Sequence, residues 1–312
     1  MSLVDVAVVG TGAVGLLLSY RFSQSGVNYI AVARDRERAA LLKLVGVKVR
    51  DVDGAARHFV PKVVAPEEVT RYKPKNVFLA VKAYNVDGVA RTMTSLVTRE
   101  TAVVSLQNGI GSYEVLSERF SKNPVCIGLV TYGVHRRGLT EIVVTNEGEI
   151  LVGCPKSPDV SMNIVELLRS AGIKARYVEN IEGWRWAKLL INAGINPLTA
   201  LLRIPNGVLL QEPELLELAK KIVEEGVAVA RKIGVELPVD PVKMLVDVAR
   251  STSRNISSML QDVLQCRETE VNYINGYIAS KARELGLQAP LNEIMTVLVK
   301  VLSRVCRQGH PT

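Results

Sequence analysis

A chain of 312 residues with 48% hydrophobic and 22% charged residues is rich enough in apolar side chains for more than one core and is not a disordered sequence. Its net charge of +8 is spread along the chain instead of gathered in a basic tail or a basic-aromatic stretch, which disfavours nucleic acid and fits an anionic small ligand or simple solubility. No apolar run is long enough to span a membrane, and the N-terminus enters a strand pattern without a charged leader, as expected of a cytoplasmic protein.

Residues 4–9 form a short β-branched run, followed by Gly10-Thr11-Gly12-Ala13-Val14-Gly15 and a helical pattern over 16–24. Strand, Gly-x-Gly-x-x-Gly and helix in that order is the context a dinucleotide fingerprint requires. Gly10 permits the tight turn, Gly12 lets the backbone approach a pyrophosphate, and Gly15 lets helix and strand pack closely. The helix N-terminus offers free N–H groups and a positive dipole end to phosphates. Glycine turns without a nucleotide are common, so it is the placement after a clean strand that favours the nucleotide.

Residues 28–33 read as a second strand, and Arg34 stands where an NAD site would hold its ribose-binding acid. A guanidinium cannot accept from a 2′-hydroxyl but pairs well with a 2′-phosphate, which favours NADP; the plain alternative is a charged helix start. Asp35 follows at once, and Arg36 and Arg38 add positive charge. Two more apolar runs, 76–81 and 101–106, end in Lys82 and in Gln107-Asn108-Gly109. Ligands of open parallel sheets lie beyond the carboxyl ends of the strands, which makes Lys82 and Asn108 candidates, although either alone is an ordinary loop residue.

A further strand is expected over 125–131, antiparallel additions over 140–145 and 149–153, an amphipathic helix over 160–171 and a last strand over 174–178. From there the pattern is helical, with helices expected over 213–233, 242–250, 257–264, 268–285 and 291–307. The expected class is therefore α/β: an N-terminal Rossmann-type doubly wound sheet in residues 1–180, followed by an all-α C-terminal domain in residues 181–312.

The first helix of that second domain, over 184–197, carries Lys188, Asn192 and Asn196 four residues apart, each about 40° further round, so the three form one polar stripe. Trp, Leu, Ile and Ala surround it. An ammonium and two carboxamides are costly to bury without partners. They mark either a site or a lysine that snorkels to water beside asparagines bonded to the backbone. The helix should stop or kink at Asn196-Pro197, because the residue before proline is pushed out of the α region. Further on, Asn255 and Ser258 lie at a helix start, where capping is the ordinary role. On one unbroken helix Ser258 and Glu270 would differ by about 120°, so a joint role requires a bend near 265–267.

The cysteines, Cys126, Cys154, Cys266 and Cys306, show no ligand spacing and are expected to be reduced core thiols. The histidines, His58, His135 and His310, stand in no metal or triad context, so no metal is expected and acid–base chemistry falls to Lys, carboxylates or Tyr.

Together these motifs resemble the ketopantoate reductase (2-dehydropantoate 2-reductase) family over nearly the whole chain. The resemblance rests on the glycine run, Lys82, Gln107-Asn108-Gly109, Lys188-x-x-x-Asn192-x-x-x-Asn196-Pro197-x-Thr199-Ala200, Pro205-Asn206-Gly207, Ser257-Ser258-Met259-x-Gln261-Asp262, and Thr269-Glu270 ahead of Asn275-Gly276. It implies NADPH-dependent reduction of 2-dehydropantoate to (R)-pantoate, on the route to pantothenate and coenzyme A. By position, the resemblance makes Lys188 the general acid. Asn192, Asn196, Asn255 and Ser258 would hold the substrate and Glu270 its hydroxyl end. Asn108 would lie where nicotinamide and substrate meet, with Lys82 on the cofactor beside the glycine run and Arg34 read above.

The chemistry agrees: hydride arriving at a ketone carbon leaves charge on oxygen, and a positioned ammonium both stabilises that charge and supplies the proton. Desolvation can lower a lysine's pKa toward neutrality, and Trp184 and Trp186 are candidates to provide it. Two residues depart from the family pattern: Cys266, where many relatives have glycine, and Val134, where many have alanine. Another 2-oxoacid reductase of the same layout and a catalytically silent NADP-binding regulator are the alternatives. The resemblance allows monomers and homodimers, and the apolar C-terminal helices offer a surface for a second subunit.

Overall fold

The computed structural model describes residues 1–309, so His310 lies outside the described residues. Two compact units make up the chain: one holds Met1–Gln107 and Gly111–Ile181, the other Asn108–Ile110 and everything from Glu182 onward.

In the first unit the elements run β1 (Ser2–Val9), α1 (Ala13–Ser25), β2 (Tyr29–Val32), α2 (Arg36–Val45), β3 (Val47–Arg50), β4 (Ala56–Phe59), β5 (Val63–Val64), β6 (Tyr72–Leu79), α3 (Val86–Thr92), β7 (Ala102–Ser105), α4 (Ser112–Arg119), β8 (Val125–Val130), β9 (Gly133–Arg137), β10 (Glu141–Asn146), β11 (Ile150–Gly153), α5 (Pro158–Ser170) and β12 (Ala175–Tyr177). The main sheet has the order β12-β11-β8-β7-β6-β1-β2-β5. From β5 to β8 its neighbours are parallel, and the winding reverses between β1 and β6, the switch point of a doubly wound sheet.

Such a sheet is covered on both faces, which is why its strands read as unbroken apolar runs. Along β1, Val6 and Val8 join one core and Ala7 and Val9 the core on the opposite face. As expected, β11 runs antiparallel to β8. Residues 140–145, by contrast, leave the main sheet: β10 pairs antiparallel with β9 and parallel with β3 in a separate four-stranded sheet, β4-β3-β10-β9. Its alternation is legible in Val47-Lys48-Val49-Arg50, whose valines are fully buried while Lys48 is exposed and Arg50 half-buried.

The cysteine expectation is corrected. Cys126 is bonded to Cys154, and Cys266 to Cys306. Spacing along the chain hides both pairings. The register Ile127↔Gly153 between β8 and β11 puts Cys126 and Cys154 at the next opposed position, although they are 28 residues apart.

The second unit contains α6 (Ile181–Leu202), α7 (Pro213–Lys232), α8 (Pro241–Ser251), α9 (Ser258–Leu264), α10 (Asn275–Glu284) and α11 (Pro290–Arg307). Its core gathers Trp186, Leu189, Leu190, Ala193 and Ile195 of α6 with Ile222, Val223, Leu245, Leu260, Ile278 and Val299 of later helices. Gly194 allows the close approach: a Cβ there would lie 2.9 Å from Val223 Cγ2 and from Leu245 Cδ1. The single helix expected over 268–285 is instead a 3-10 turn at Val271–Tyr273 followed by α10, separated by Ile274 in a non-helical conformation (φ −112°, ψ −94°). No helix among the described residues is long and apolar enough to cross a membrane.

Candidate active site

In the first unit the glycine run occupies the turn from β1 into α1. Gly10 has φ +110°, a conformation open to glycine, and an added Cβ would sit 2.9 Å from the Ala80 backbone. A Cβ on Gly15 would collide with the Gly10 carbonyl oxygen. Beside Gly12, among the described residues other than its chain neighbours, the nearest atom is the Ala80 oxygen, 3.8 Å from where a Cβ would be, which leaves room there for an approaching group. The first intrahelical bond is Leu16 N–H to Gly12 O (2.9 Å), so the N–H groups of Ala13, Val14 and Gly15 precede the hydrogen-bonded ladder.

Arg34 follows β2 with its side chain 81% exposed, its Nε donating to Asp35 Oδ2 at 2.6 Å. Asp35 is engaged within its own turn. Its other oxygen accepts from Arg38 N at 2.6 Å and caps α2, and that backbone bond, with the Arg34 guanidinium, lowers its pKa. Arg38, read from sequence only as added charge, is buried and reaches back to the glycine turn. Its Nε donates to Thr11 Oγ1 and its Nη2 to Thr11 O, both at 3.2 Å, while Nη1 is buried with no hydrogen-bond partner among the described residues. The signal for it was an arginine four residues after Arg34. Lys82 follows the end of β6 and begins a short 3-10 turn. Gln107, quoted as part of a motif without a role, ties two strand ends together: its Nε2 donates to Leu79 O (2.8 Å) and Val81 O (3.1 Å), and its Oε1 accepts from Ser105.

The second unit brings together residues that are far apart in sequence. On α6, Lys188 and Asn192 are half-buried and Asn196 is buried, so the stripe runs from a partly open end into the core. Burial lowers the Lys188 pKa from 10.5 to about 8, against the charge of Glu270, which raises it. Trp186 does not share this face. It stands about 200° round the helix from Lys188 and packs in the core, its ring 5.8 Å from that of Tyr277. Trp184, one turn before Lys188, does share it.

Glu270 is buried, and Asn108 Nδ2 donates to its Oε2 at 3.4 Å. Asn108 reaches it because Ile110 N–H bonds to Tyr273 O at 2.9 Å and because Gly109, at φ +84°, has no Cβ to strike that carbonyl. The bend that Ser258 and Glu270 require is present: α9 ends at Leu264 and Cys266 is left-handed (φ +48°), the conformation glycine adopts most easily. A non-glycine residue there stores about 1–2 kcal/mol of strain, and the bond to Cys306 holds it in place.

Ser257, not Ser258, is the N-cap of α9. Its Oγ accepts from Leu260 N (3.1 Å) and lies 2.8 Å from Thr199 Oγ1 of α6, leaving Ser258 exposed at the first helical position. Half-buried Asn255 is fixed through its backbone, its carbonyl accepting from Asn206 N at 2.9 Å, while Gly207 N bonds to Ser253 O at 3.0 Å. Pro205-Asn206-Gly207 thereby supports the loop carrying Asn255.

Of the stop or kink expected at Asn196-Pro197, the stop does not occur. The helix continues from Ile181 through Pro197 to Leu202, so Asn196 stays in helical register with Lys188 and Asn192.

Comparison with known proteins fits this arrangement. The family Ketopantoate reductase PanE/ApbA matches residues 6–157, and its C-terminal counterpart, Ketopantoate reductase PanE/ApbA C terminal, matches residues 180–303. The chain belongs to the ketopantoate reductase family. It is similar to the 2-dehydropantoate 2-reductase of Pyrobaculum aerophilum, 35% identical over 304 residues, which covers 97% of this chain and 99% of that one. The Archaeoglobus fulgidus 2-dehydropantoate 2-reductase is 35% identical over 298 residues, 95% and 96% of the two chains. Among solved structures, a ketopantoate reductase of this family from Ralstonia eutropha superposes with a TM-score of 0.87 at 25% identity, covering 97% of this chain and 99% of that one. Membership makes the protein an oxidoreductase, and the family's two parts fall on the sheet unit and the helical unit described above.

Proposed function

We propose that the protein reduces 2-dehydropantoate to (R)-pantoate with NADPH, on the route to pantothenate and coenzyme A. The observation that carries this reading is the face of α6, where an ammonium with its pKa lowered to about 8 is lined up with Asn192 and Asn196 and feels the charge of Glu270. Family membership and relatives named 2-dehydropantoate 2-reductase supply the substrate class.

The glycine turn fits a dinucleotide, since it leaves space beside Gly12 and opens onto the N–H groups at the start of α1. Gly10, Thr11, Gly12, Ala13, Val14, Gly15 and Lys82 would hold the cofactor. The exposed Arg34, with Arg38 beneath the turn, suits a 2′-phosphate, hence NADPH over NADH. When bound, NADPH supplies hydride to the ketone carbon. Lys188 donates a proton to the carbonyl oxygen as negative charge develops there, and near neutral pH most of it carries that proton. Asn192, Asn196, Asn255 and Ser258 are neutral hydrogen-bonding groups that orient the carboxylate and carbonyl without trapping them as ion pairs. Glu270 would receive the hydroxyl end, and Asn108 would lie where nicotinamide and substrate meet.

The test is NADPH oxidation with 2-dehydropantoate beside a panel of other 2-oxoacids, repeated with NADH. Fastest turnover of 2-dehydropantoate with NADPH is expected. Faster turnover of another 2-oxoacid would move the substrate assignment, and NADPH binding without turnover on any of them would make the protein a regulator.

A homodimer is part of the same proposal. Ile294, Val297, Leu298 and Val301 are exposed at i, i+3, i+4 and i+7 on α11, a continuous apolar stripe suited to a second copy of itself. A monomer mass by light scattering would remove this part.

A further inference from the structure

Proline inside a helix leaves the carbonyl four residues earlier without its donor. In α6 that carbonyl belongs to Ala193, which is fully buried, where an unpaired carbonyl is costly. The missing donor comes from outside the helix: Asn275 Nδ2 lies 3.1 Å from Ala193 O. Asn275 is itself fully buried and also donates to Asn292 Oδ1 at 3.0 Å. Asn292 Nδ2 in turn donates to Ile222 O (3.0 Å) and Glu225 Oε2 (2.8 Å), and Glu225 accepts from the N–H groups of Leu291 and Asn292 at the start of α11. The side chain that replaces the proline's N–H is therefore fixed by α7 and α11 and cannot easily turn away.

We propose that Asn275 is a positioning residue for the reductase reaction: it stands in for the N–H that Pro197 lacks, keeps α6 helical past the proline, and so holds Asn196 on the face of Lys188. The inference rests on the proposed role of Asn196 in holding the 2-oxoacid. Two further features tie it to the site. Asn196 is the residue immediately before Pro197, where the chain would otherwise leave the α region. Asn275 also opens α10, five residues after Glu270, so one amide fixes α6 next to Asn196 and the segment that follows Glu270.

The test is a cycle of wild type, Pro197→Ala, Asn275→Ala and the double variant. KM for 2-dehydropantoate, KM for NADPH and hydrogen exchange of the backbone amides of α6 are measured well below each melting temperature. With Pro197 present, Asn275→Ala should raise the 2-oxoacid KM about tenfold or more, leave the NADPH KM nearly unchanged, and speed exchange at 198–202 but not at 185–192. In the double variant residue 197 regains an N–H for Ala193 O, so the KM and the exchange should both return close to those of Pro197→Ala alone. A double variant as impaired as Asn275→Ala, or an Asn275→Ala protein with unchanged KM and unchanged exchange, would overturn the proposal. Should Asn275→Ala fail to fold alone, a folded double variant with near-normal KM supports the proposal, and a double variant that also fails overturns it. If no 2-oxoacid is turned over even by wild type, the substrate reading has failed, and the exchange comparison still decides the role of Asn275.

Discussion

The turn from β1 into α1 and the Lys188 face of α6 are built in opposite ways. The first is a stretch of six consecutive residues whose geometry follows from its own glycines, with distant support from Arg38 on Thr11 and from Val32 O on Gly10 N–H. The second is assembled from α6, the Asn108–Ile110 segment, the loop around Asn255 and the turn at Glu270, joined by bonds such as Ile110 N–H to Tyr273 O and Thr199 to Ser257. A local element tolerates change elsewhere but depends on each of its own residues. A non-local one spreads its dependence over residues that never touch a ligand.

The sharpest test of this contrast is Lys188→Ala. Loss of the proposed general acid should lower kcat on the order of 10²–10⁴-fold while NADPH affinity, assigned in the proposal to the glycine turn, stays essentially unchanged in a fluorescence titration. Parallel loss of both would show that the two regions do not act separately. Next is Gly109→Ala, which touches no proposed reacting group. It places a Cβ against the Tyr273 carbonyl at a backbone angle of +84°, and should cost about 1–3 kcal/mol in thermal unfolding and raise the 2-oxoacid KM. An unaltered melt would mean that the clamp on Glu270 is looser than its geometry indicates.

A smaller, selective effect is expected from Arg34→Ala: roughly tenfold weaker binding of NADPH, with little change for NADH, if one charged hydrogen-bonded contact to a 2′-phosphate is lost. Equal losses for both cofactors would count against the 2′-phosphate assignment. Smallest is a change in pH dependence. In the proposed role Lys188 would act as an acid only while protonated, so turnover should fall as pH rises through about 8. Glu270 holds that pKa up, so Glu270→Gln should move the fall to lower pH, and a profile moved to higher pH would contradict the coupling.

The same contrast explains what could be read from the sequence. The doubly wound sheet and its glycine turn were legible because their signals are contiguous: a strand run, glycines at fixed offsets, a helix. The four-stranded sheet escaped because short strands such as β4 and β9 carry charged residues and because its two hairpins, β3-β4 and β9-β10, join only through β3 and β10, which lie far apart along the chain. The polar stripe on α6 followed from spacing alone, and the bend before Glu270 from the angle between Ser258 and Glu270. The continuity of α6 through Pro197 was not legible, because proline reports the lost N–H and nothing nearby reports the amide at Asn275 that replaces it. The disulfides were hidden for the same reason, since sequence spacing does not show which cysteines the strands and helices bring face to face.

Each cross-link closes inside one unit, over 28 residues for Cys126–Cys154 and 40 for Cys266–Cys306. Loops of these lengths restrict the unfolded chain by roughly 3.5–4 kcal/mol each in the chain-entropy account. The second loop encloses Glu270, Asn275 and Asn292, while Lys188, Asn196 and Asn255 lie outside it. When the helical unit melts, the first three stay tethered within one covalent circle and the others disperse. The most distant partners of the Lys188 face are therefore the ones the chain never fully releases.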